Sequence, residues 1–286
     1  MADSDNERYH EWSPAEYMKY SNFRTQAAQG LIRRLADQFG EDYLPNVNTV
    51  IELGSGPGNS TAELARSCPN ARIICVDRSD NMLVAAMEAN LGPNVEFVQG
   101  DLEHYILEAG ADLIFSTNAL HWLRKDTRIE ILQRMFKSLC PGGVLAVHMP
   151  DNVRQPAHDE MRATARITFM EWSDDFHDRE LRFFREKLDV DPVGEAFIYH
   201  LALKKLEDAP IMSFQHWIDF PQYRFASTRD IVDWMKGAEL RPYLDEISND
   251  NIREAYLSEY ESRLKAHYPT NTLLSTQKSF VAVREM

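Results

Sequence analysis

The chain has 286 residues, and its 31 basic and 45 acidic side chains give a formal net charge of −14. Hydrophobic residues make up 44% of it, which is typical of a globular protein and excludes a disordered or collagen-like chain. The length predicts one large domain, or one domain with an insertion. The acidic balance argues against a nucleic-acid partner, because phosphate backbones are bound by clustered basic side chains. A small-molecule ligand is favoured.

The cysteines and the N-terminus indicate where the protein works. Cys68, Cys75 and Cys140 form no C-x-x-C pair, so we expect a reducing compartment and no metal site. Residues 1–11 are polar and their charged side chains are mostly acidic, unlike a secretory signal or a transit peptide. No apolar run reaches the roughly 20 residues of a membrane helix. We therefore predict a cytoplasmic protein without a membrane partner, and the sequence leaves its oligomeric state open.

From about residue 48 onward, short β-branched runs alternate with helical stretches, which is typical of βαβ units and a parallel sheet. We expect strands at 49–53, 72–77, 95–100, 111–116 and 143–149. Helices are expected at 60–67, 81–90 and 126–139, with Ser79 or Asp80 capping the second of them and a turn at 141–143. This alternation predicts an α/β fold with a doubly wound, Rossmann-like sheet.

The pattern changes beyond Pro150. Residues 156–207 are aromatic, charged and helical in period, so we expect a helical cap at about 151–207 inserted into a core of about 30–150 and 208–286. Later elements are predicted as strands at 211–220 and 277–284, helices at 230–235 and 251–267, and a turn at 240–244. The two late strands are expected to extend the sheet edge.

The most specific motif is the run E-L-G-S-G-P-G at 52–58, which joins a buried strand to a helix. Glycine allows positive φ and lets the backbone approach a ligand closely, and the following helix offers unpaired N–H groups. The motif therefore predicts a nucleotide-like ligand. A tight turn without a ligand is the alternative.

Two acidic residues follow neighbouring strands at the same edge of the predicted sheet. Asp77 ends the second strand, nineteen residues after Gly58, where a carboxylate can accept hydrogen bonds from ribose hydroxyls. Asp101 follows the third strand, where an adenine amino group would lie. Each residue has an alternative interpretation as a turn or cap residue.

Together with F-S-T-N-A-L-H-W at 115–122 and P-G-G at 141–143, these motifs resemble the class I S-adenosylmethionine-dependent methyltransferases over about residues 48–150. An NAD site would favour G-x-G-x-x-G, whereas the glycines here fall at G-x-G-x-G. The resemblance implies S-adenosylmethionine as cofactor and S-adenosylhomocysteine as product. It implies cofactor contacts from Glu52, Gly54, Ser55, Gly56, Gly58, Asp77, Arg78, Met82, Asp101, Leu102, Asn118, His121 and Trp122.

A narrower resemblance, to the trans-aconitate methyltransferases, covers nearly the whole chain. It is carried by W-S-P-A-E-Y at 12–17, G-P-G-N-S-T at 56–61, G-V-L-A-V-H-M-P-D-N at 143–152, I-V-D-W at 231–234 and L-R-P-Y-L at 240–244. That family esterifies a carboxylate of a small polycarboxylic acid. The chain departs from the family pattern at Gln26 and Ala27, which replace an arginine and a proline, and at T-Q-K 276–278, which replaces Phe-Pro-Arg. The resemblance implies substrate contacts from Tyr17, Arg24, His121, Trp122, Arg162, Trp234 and Arg241.

The implied reaction requires few catalytic groups from the protein. A carboxylate is already ionised at pH 7, so its methylation by in-line displacement needs alignment and no general base. A hydroxyl acceptor would instead need a base such as His121, and amine or carbon acceptors are further alternatives. Another alternative is a protein that binds the cofactor but catalyses no reaction. Arg162, spaced i, i+4 from Arg166, is alternatively part of a solvated helix face.

Overall fold

A seven-stranded sheet lies at the centre of the computed structural model, which describes residues 12–123, 125–151, 155–168, 192–245, 247 and 249–286. The strands are β1 (Thr49–Leu53), β2 (Arg72–Asp77), β3 (Val95–Gln99), β4 (Ala111–Thr117), β5 (Leu139–Pro150), β6 (Ile211–Asp219) and β9 (Gln277–Arg284). Their order is β3-β2-β1-β4-β5-β9-β6, and β9 runs antiparallel to both of its neighbours. The doubly wound sheet and its two late edge strands are therefore confirmed.

The strand order reverses between β1 and β4, and this reversal opens a crevice at the carboxyl ends of the strands. Alternate side chains of each strand face opposite sides of the sheet. On one side Val50 joins an apolar cluster with Leu31 and Leu64, and on the other Ile51 joins a cluster with Phe136 and Tyr199. Burial on both faces explains why the central strands β1, β2 and β4 are mostly hydrophobic.

Helices cover both faces of the sheet. They are α1 (Pro14–Met18), α2 (Ser21–Phe39), α3 (Asn59–Ser67), α4 (Asp80–Glu88), α5 (Lys125–Ser138), α6 (Pro156–Thr168), α7 (Pro192–Lys204), α8 (Thr228–Lys236), α9 (Arg241–Leu244) and α10 (Asp250–His267). Ser79 caps α4 by accepting a hydrogen bond from the N–H of Met82 at 3.4 Å, as one of the two predicted caps. Within the described ranges, none of these helices is both long and apolar enough to cross a membrane.

A third apolar cluster lies beside the sheet. It joins α6, α8, α9 and α10 to a ribbon of two short strands, β7 (Gln222–Arg224) and β8 (Thr272–Leu274). The helix α7 packs instead against the sheet, through Tyr199 and Leu203. The described parts of the predicted cap at 151–207 thus pack in two places, and residues 169–191 lie outside the described residues. The domain boundaries stay a prediction.

One predicted turn lies inside a strand. Residues 141–143 were expected to precede the fifth strand, but β5 already begins at Leu139, which pairs with Ala111. The register then shifts, so that the next pair joins Leu113 to Val144. Gly143 permits this bulge, because a Cβ there would lie 2.9 Å from the Ala111 carbonyl oxygen. The limits of α1 and α2 and the ribbon of β7 and β8 were not predicted.

Candidate cofactor and acceptor site

The glycine-rich turn follows β1 at the centre of the crevice. Gly54, Gly56 and Gly58 all have positive φ, at 76°, 56° and 87°. A Cβ on Gly54 would lie 2.1 Å from the Cβ of Ala119, so packing against the loop after β4 requires glycine there. A Cβ on Gly56 would meet no atom within 4 Å, and Gly56 lines a cavity. The space beside Gly56 can therefore admit a ligand to the backbone.

Glu52 lies beneath this turn. Its carboxylate is 1% exposed and accepts hydrogen bonds from the hydroxyls of Ser60 and Thr61, both at 2.5 Å, in the first turn of α3. Burial raises the pKa of Glu52 to about 7, although the two hydroxyl bonds act in the opposite direction. Glu52, Ser55 and Gly58 are absent from the cavity lining. Glu52 therefore supports the turn from below.

The two predicted acidic residues both line the cavity and both bind neighbouring backbone. Asp77 accepts hydrogen bonds from the N–H of Gly56 at Oδ2 (2.8 Å) and from the N–H of Ser79 at Oδ1 (2.9 Å). Burial raises its pKa, and these backbone bonds oppose the rise. Asp101 accepts a hydrogen bond from the N–H of Glu103 at 2.9 Å. Both residues therefore have the predicted turn role, and both also line the space that a ligand can enter.

The cavity has a volume of about 150 Å³ and lies along the carboxyl edge of the sheet. Most of the predicted cofactor residues line it, namely Gly54, Gly56, Asp77, Arg78, Met82, Asp101, Leu102, Asn118, His121 and Trp122. Five of the residues predicted to contact the substrate line it as well: Tyr17, Arg24, His121, Trp122 and Trp234. The structure thus brings both predicted sets into one continuous space.

Arg24 fixes a positive charge at the wall of the cavity. Its Nε donates to the carbonyl of Tyr17 at 3.1 Å and its Nη2 donates to the carbonyl of Trp234 at 3.0 Å. Its guanidinium carbon lies 4.1 Å from the centroid of the Tyr17 ring. Burial raises the pKa of the Tyr17 phenol. Arg24 therefore joins α1, α2 and α8 while facing the cavity.

Two predicted substrate arginines do not line the cavity. Arg162 pairs with Asp159 one turn earlier on α6. The Nε atom of Arg241 lies 3.8 Å from Oδ2 of Asp245. Its guanidinium carbon lies 5.4 Å from the ring centroid of Trp12, and Trp12 does line the cavity. Each guanidinium thus pairs with an acidic neighbour, and direct contact of these two arginines with a substrate stays a prediction.

Sequence reasoning missed several residues of the lining, among them Gln155, His158, Glu239, Ser275 and Gln277. Gln155 immediately precedes α6 and His158 lies on it, Glu239 lies in the loop after α8, and Ser275 and Gln277 lie just before and at the start of β9. No local motif marks them, because tertiary packing alone brings them to the crevice. The departure from the family pattern at 276–278 was the one sequence feature that drew attention to this region.

Comparisons with known proteins agree with this geometry. A family model described as a methyltransferase domain matches residues 50–143. The trans-aconitate 2-methyltransferase of Variovorax paradoxus is 32% identical over 96% of this chain and 98% of its own length. That of Sinorhizobium fredii is 34% identical over 90% of this chain and 91% of its own. The chain belongs to the trans-aconitate 2-methyltransferase family.

The fold has a solved counterpart. The crystal structure of the YcgJ protein from Bacillus subtilis aligns with a TM-score of 0.52, at 13% identity, over 91% of this chain and 99% of that one. At such low identity the likeness concerns the fold alone.

As a member of the trans-aconitate 2-methyltransferase family, the chain is an S-adenosylmethionine-dependent methyltransferase, and the predicted cofactor and enzyme class are confirmed. The residues present fit this cofactor. The open side of Gly56 admits a ligand to the backbone, and Asp77 presents a carboxylate to the same space. The roles of individual residues stay predictions.

Proposed function

We propose that this enzyme transfers a methyl group to a carboxylate of a small polycarboxylic acid such as trans-aconitate. The observation that carries the proposal is the match to a trans-aconitate 2-methyltransferase over 280 residues. A match of that length spans both the glycine-rich turn and most of the segments that line the rest of the cavity. An acceptor near Arg24 would meet a fixed positive charge, as an anionic substrate requires.

We assign the cofactor to the end of the cavity near β1, β2 and β3. Asp77 lines the cavity at the end of β2, and we assign its carboxylate to the ribose hydroxyls. Asp101 is assigned to the adenine. The remaining contacts are assigned to the lining residues Gly54, Gly56, Arg78, Met82, Leu102 and Asn118.

The acceptor is assigned to Tyr17, Arg24, His121, Trp122 and Trp234. S-adenosylmethionine supplies an electrophilic methyl group when bound. The protein has no proton to remove from an ionised carboxylate, so its residues contribute orientation and exclusion of water. The indole of Trp122 packs edge-on against Trp12 at 5.4 Å between ring centroids, and both residues line the cavity. His121 acts here as a wall residue.

A hydroxyl acceptor with His121 as general base is not favoured by the family to which the chain belongs. A cofactor-binding protein without turnover is likewise not favoured. The cytoplasmic location and the lack of a nucleic-acid partner remain part of this proposal.

An acceptor screen tests the proposal. Purified enzyme and methyl-labelled S-adenosylmethionine are incubated with di- and tricarboxylic acids, with phenols and with amines. We expect label to enter the acids, trans-aconitate among them, as a methyl ester that mild base releases. Label found only in a base-stable ether or amine would overturn the proposal.

A further inference from the structure

The wall formed by Ser275 and Gln277 lies at the far end of the cavity from the predicted ribose site. Gln277 begins β9 and pairs with Pro150 at the end of β5. Four strand steps separate β2, which carries Asp77, from β9. At about 4.8 Å per step, this distance is about 19 Å. Ser275 and Gln277 both line the cavity, so they belong to its acceptor end.

Hydrogen bonding fixes the direction of the Ser275 hydroxyl. Gln155 Nε2 donates to the Asp151 carbonyl at 2.8 Å and to Ser275 Oγ at 3.3 Å, and Gln277 Nε2 donates to the same Oγ at 2.6 Å. A hydroxyl oxygen has two lone pairs, so both are used. Ser275 is 2% exposed, and its hydroxyl donates to no other residue within the described ranges. Its proton is therefore available to a ligand in the cavity.

His148 fixes the direction of the Gln277 amide. Its Nε2 lies 2.9 Å from Gln277 Oε1, and its Nδ1 lies 2.9 Å from Ser279 Oγ. Burial lowers the pKa of His148 to about 4, so the ring is neutral near pH 7. Because Gln277 Oε1 can only accept, His148 Nε2 must carry the proton. The amide nitrogen of Gln277 is thereby held towards Ser275, with a second N–H to offer.

We infer that Ser275 and Gln277 form a neutral donor wall that binds an oxygen of the acceptor remote from the methylated carboxylate, and so determines which small acids react. The inference rests on the proposed function. The oxygen belongs to a carboxylate or to an uncharged carbonyl. A charged arginine would strongly prefer the carboxylate, whereas neutral donors bind both kinds of oxygen and favour the ionised one by a smaller margin. An apolar group in the same place would leave both donors unpaired, at a cost in affinity.

Three acceptors test the wall: a dicarboxylic acid, its half-amide, and a monocarboxylic acid of the same length that ends in a methyl group. Ser275→Ala should raise KM about three- to tenfold for the half-amide, the range for one lost neutral hydrogen bond, and about tenfold or more for the diacid, whose acceptor oxygen is charged. It should leave kcat within about twofold and the third acceptor unaffected. Ser138→Ala is the matched control, because it removes a buried hydroxyl that bonds the Met135 carbonyl outside the cavity. It should change no KM.

Gln277→Glu provides a second variant of nearly equal size. A carboxylate there accepts from both His148 and Ser275, which turns the serine proton away from the cavity and adds a negative charge. KM should rise more than about tenfold for the diacid and less for the half-amide, because only the diacid is repelled at this wall. Calorimetric titration with S-adenosylmethionine verifies that each variant is folded.

The outcomes separate the two proposals. If the wild type methylates no acid, the proposed function fails. If it methylates the acids and both variants keep the ratios of the three KM values within about twofold of the wild type, the donor wall is wrong and the proposed function stands. Should Ser275→Ala fail to bind cofactor, Gln277→Glu decides alone.

Discussion

The two ends of the cavity are built in different ways. At the cofactor end, Gly56, Asp77 and Asp101 each lie at or just beyond the carboxyl end of a different strand, and all three lie within one stretch of βα units. At the acceptor end, Arg24 comes from α2 and Gln277 from β9, and only tertiary packing brings them to one space. The cofactor end depends on local turns, and the acceptor end depends on long-range contacts. Short sequence motifs therefore predict the cofactor site, whereas they do not predict which acceptor binds.

A buried titratable group also lies beneath each end. Burial favours the neutral form in both, so the pKa of Glu52 rises to about 7 and that of His148 falls to about 4. The two groups therefore affect stability in opposite directions as the pH changes. The stabilising effect of Glu52 is complete at low pH, and that of His148 is complete at neutral pH.

The largest expected effect separates two reasons for glycine in this turn. Gly54 is required by close packing, whereas Gly56 leaves room for a ligand beside the backbone. Gly54→Ala should lower the free energy of unfolding by about 4 kcal/mol, because it adds a clash with Ala119 to the cost of positive φ. Gly56→Ala, with open space around its Cβ, should lower it by only about 1 kcal/mol but should weaken cofactor binding. Urea unfolding and calorimetric titration measure the two quantities. An equal loss of stability in the two variants would contradict these separate roles of Gly54 and Gly56.

The next effect concerns the pH dependence of the cofactor end. The pKa of folded Glu52, about 7, exceeds its ordinary value of 4.5, so the folded state holds the proton more tightly than the unfolded chain. The resulting stabilisation is full below about pH 4.5 and is lost as the pH rises through 7. Glu52→Gln cannot ionise, so its stability relative to the wild type should rise by about 2.5 kcal/mol between about pH 5 and 8.

Urea unfolding at the two pH values measures this change. The exposed Glu88 on α4 supplies the control, since Glu88→Gln should give the same difference from the wild type at both. A pH-independent difference for Glu52→Gln would mean that this carboxyl is ionised throughout the range.

A smaller effect separates cofactor binding from acceptor choice. Asp77→Ala should weaken S-adenosylmethionine binding by about 2 kcal/mol, the value for hydrogen bonds to a charged group. Asp77→Asn should cost less, because its remaining oxygen still accepts. Neither change should alter the ratio of KM values among the acids at saturating cofactor. If Asp77→Ala bound the cofactor as tightly as the wild type, the assignment of Asp77 to the ribose would be wrong.

The sequence predicted the parts of the site that are local. A buried strand, a glycine turn and a helix are adjacent in the chain, so Gly56 and Asp77 could be placed at the edge of the sheet before the structure was known. Ser275 and Gln155 could not be placed, because their position depends on the pairing of β9 with β5 and on the packing of α6. Arg241 was named from resemblance alone, and the structure places it beside Asp245 and outside the cavity lining, so its contact with a substrate stays a prediction.

The most direct test of carboxylate methylation is the pH dependence of kcat/KM for trans-aconitate at saturating S-adenosylmethionine. Small carboxylic acids ionise near pH 4, so the profile should be nearly flat between about pH 6.5 and 8.5. His121→Asn should lose less than the factor of about 10² that removal of a general base causes. A profile that climbs tenfold per pH unit below about pH 7, together with loss of turnover in His121→Asn, would contradict the account and indicate a hydroxyl acceptor.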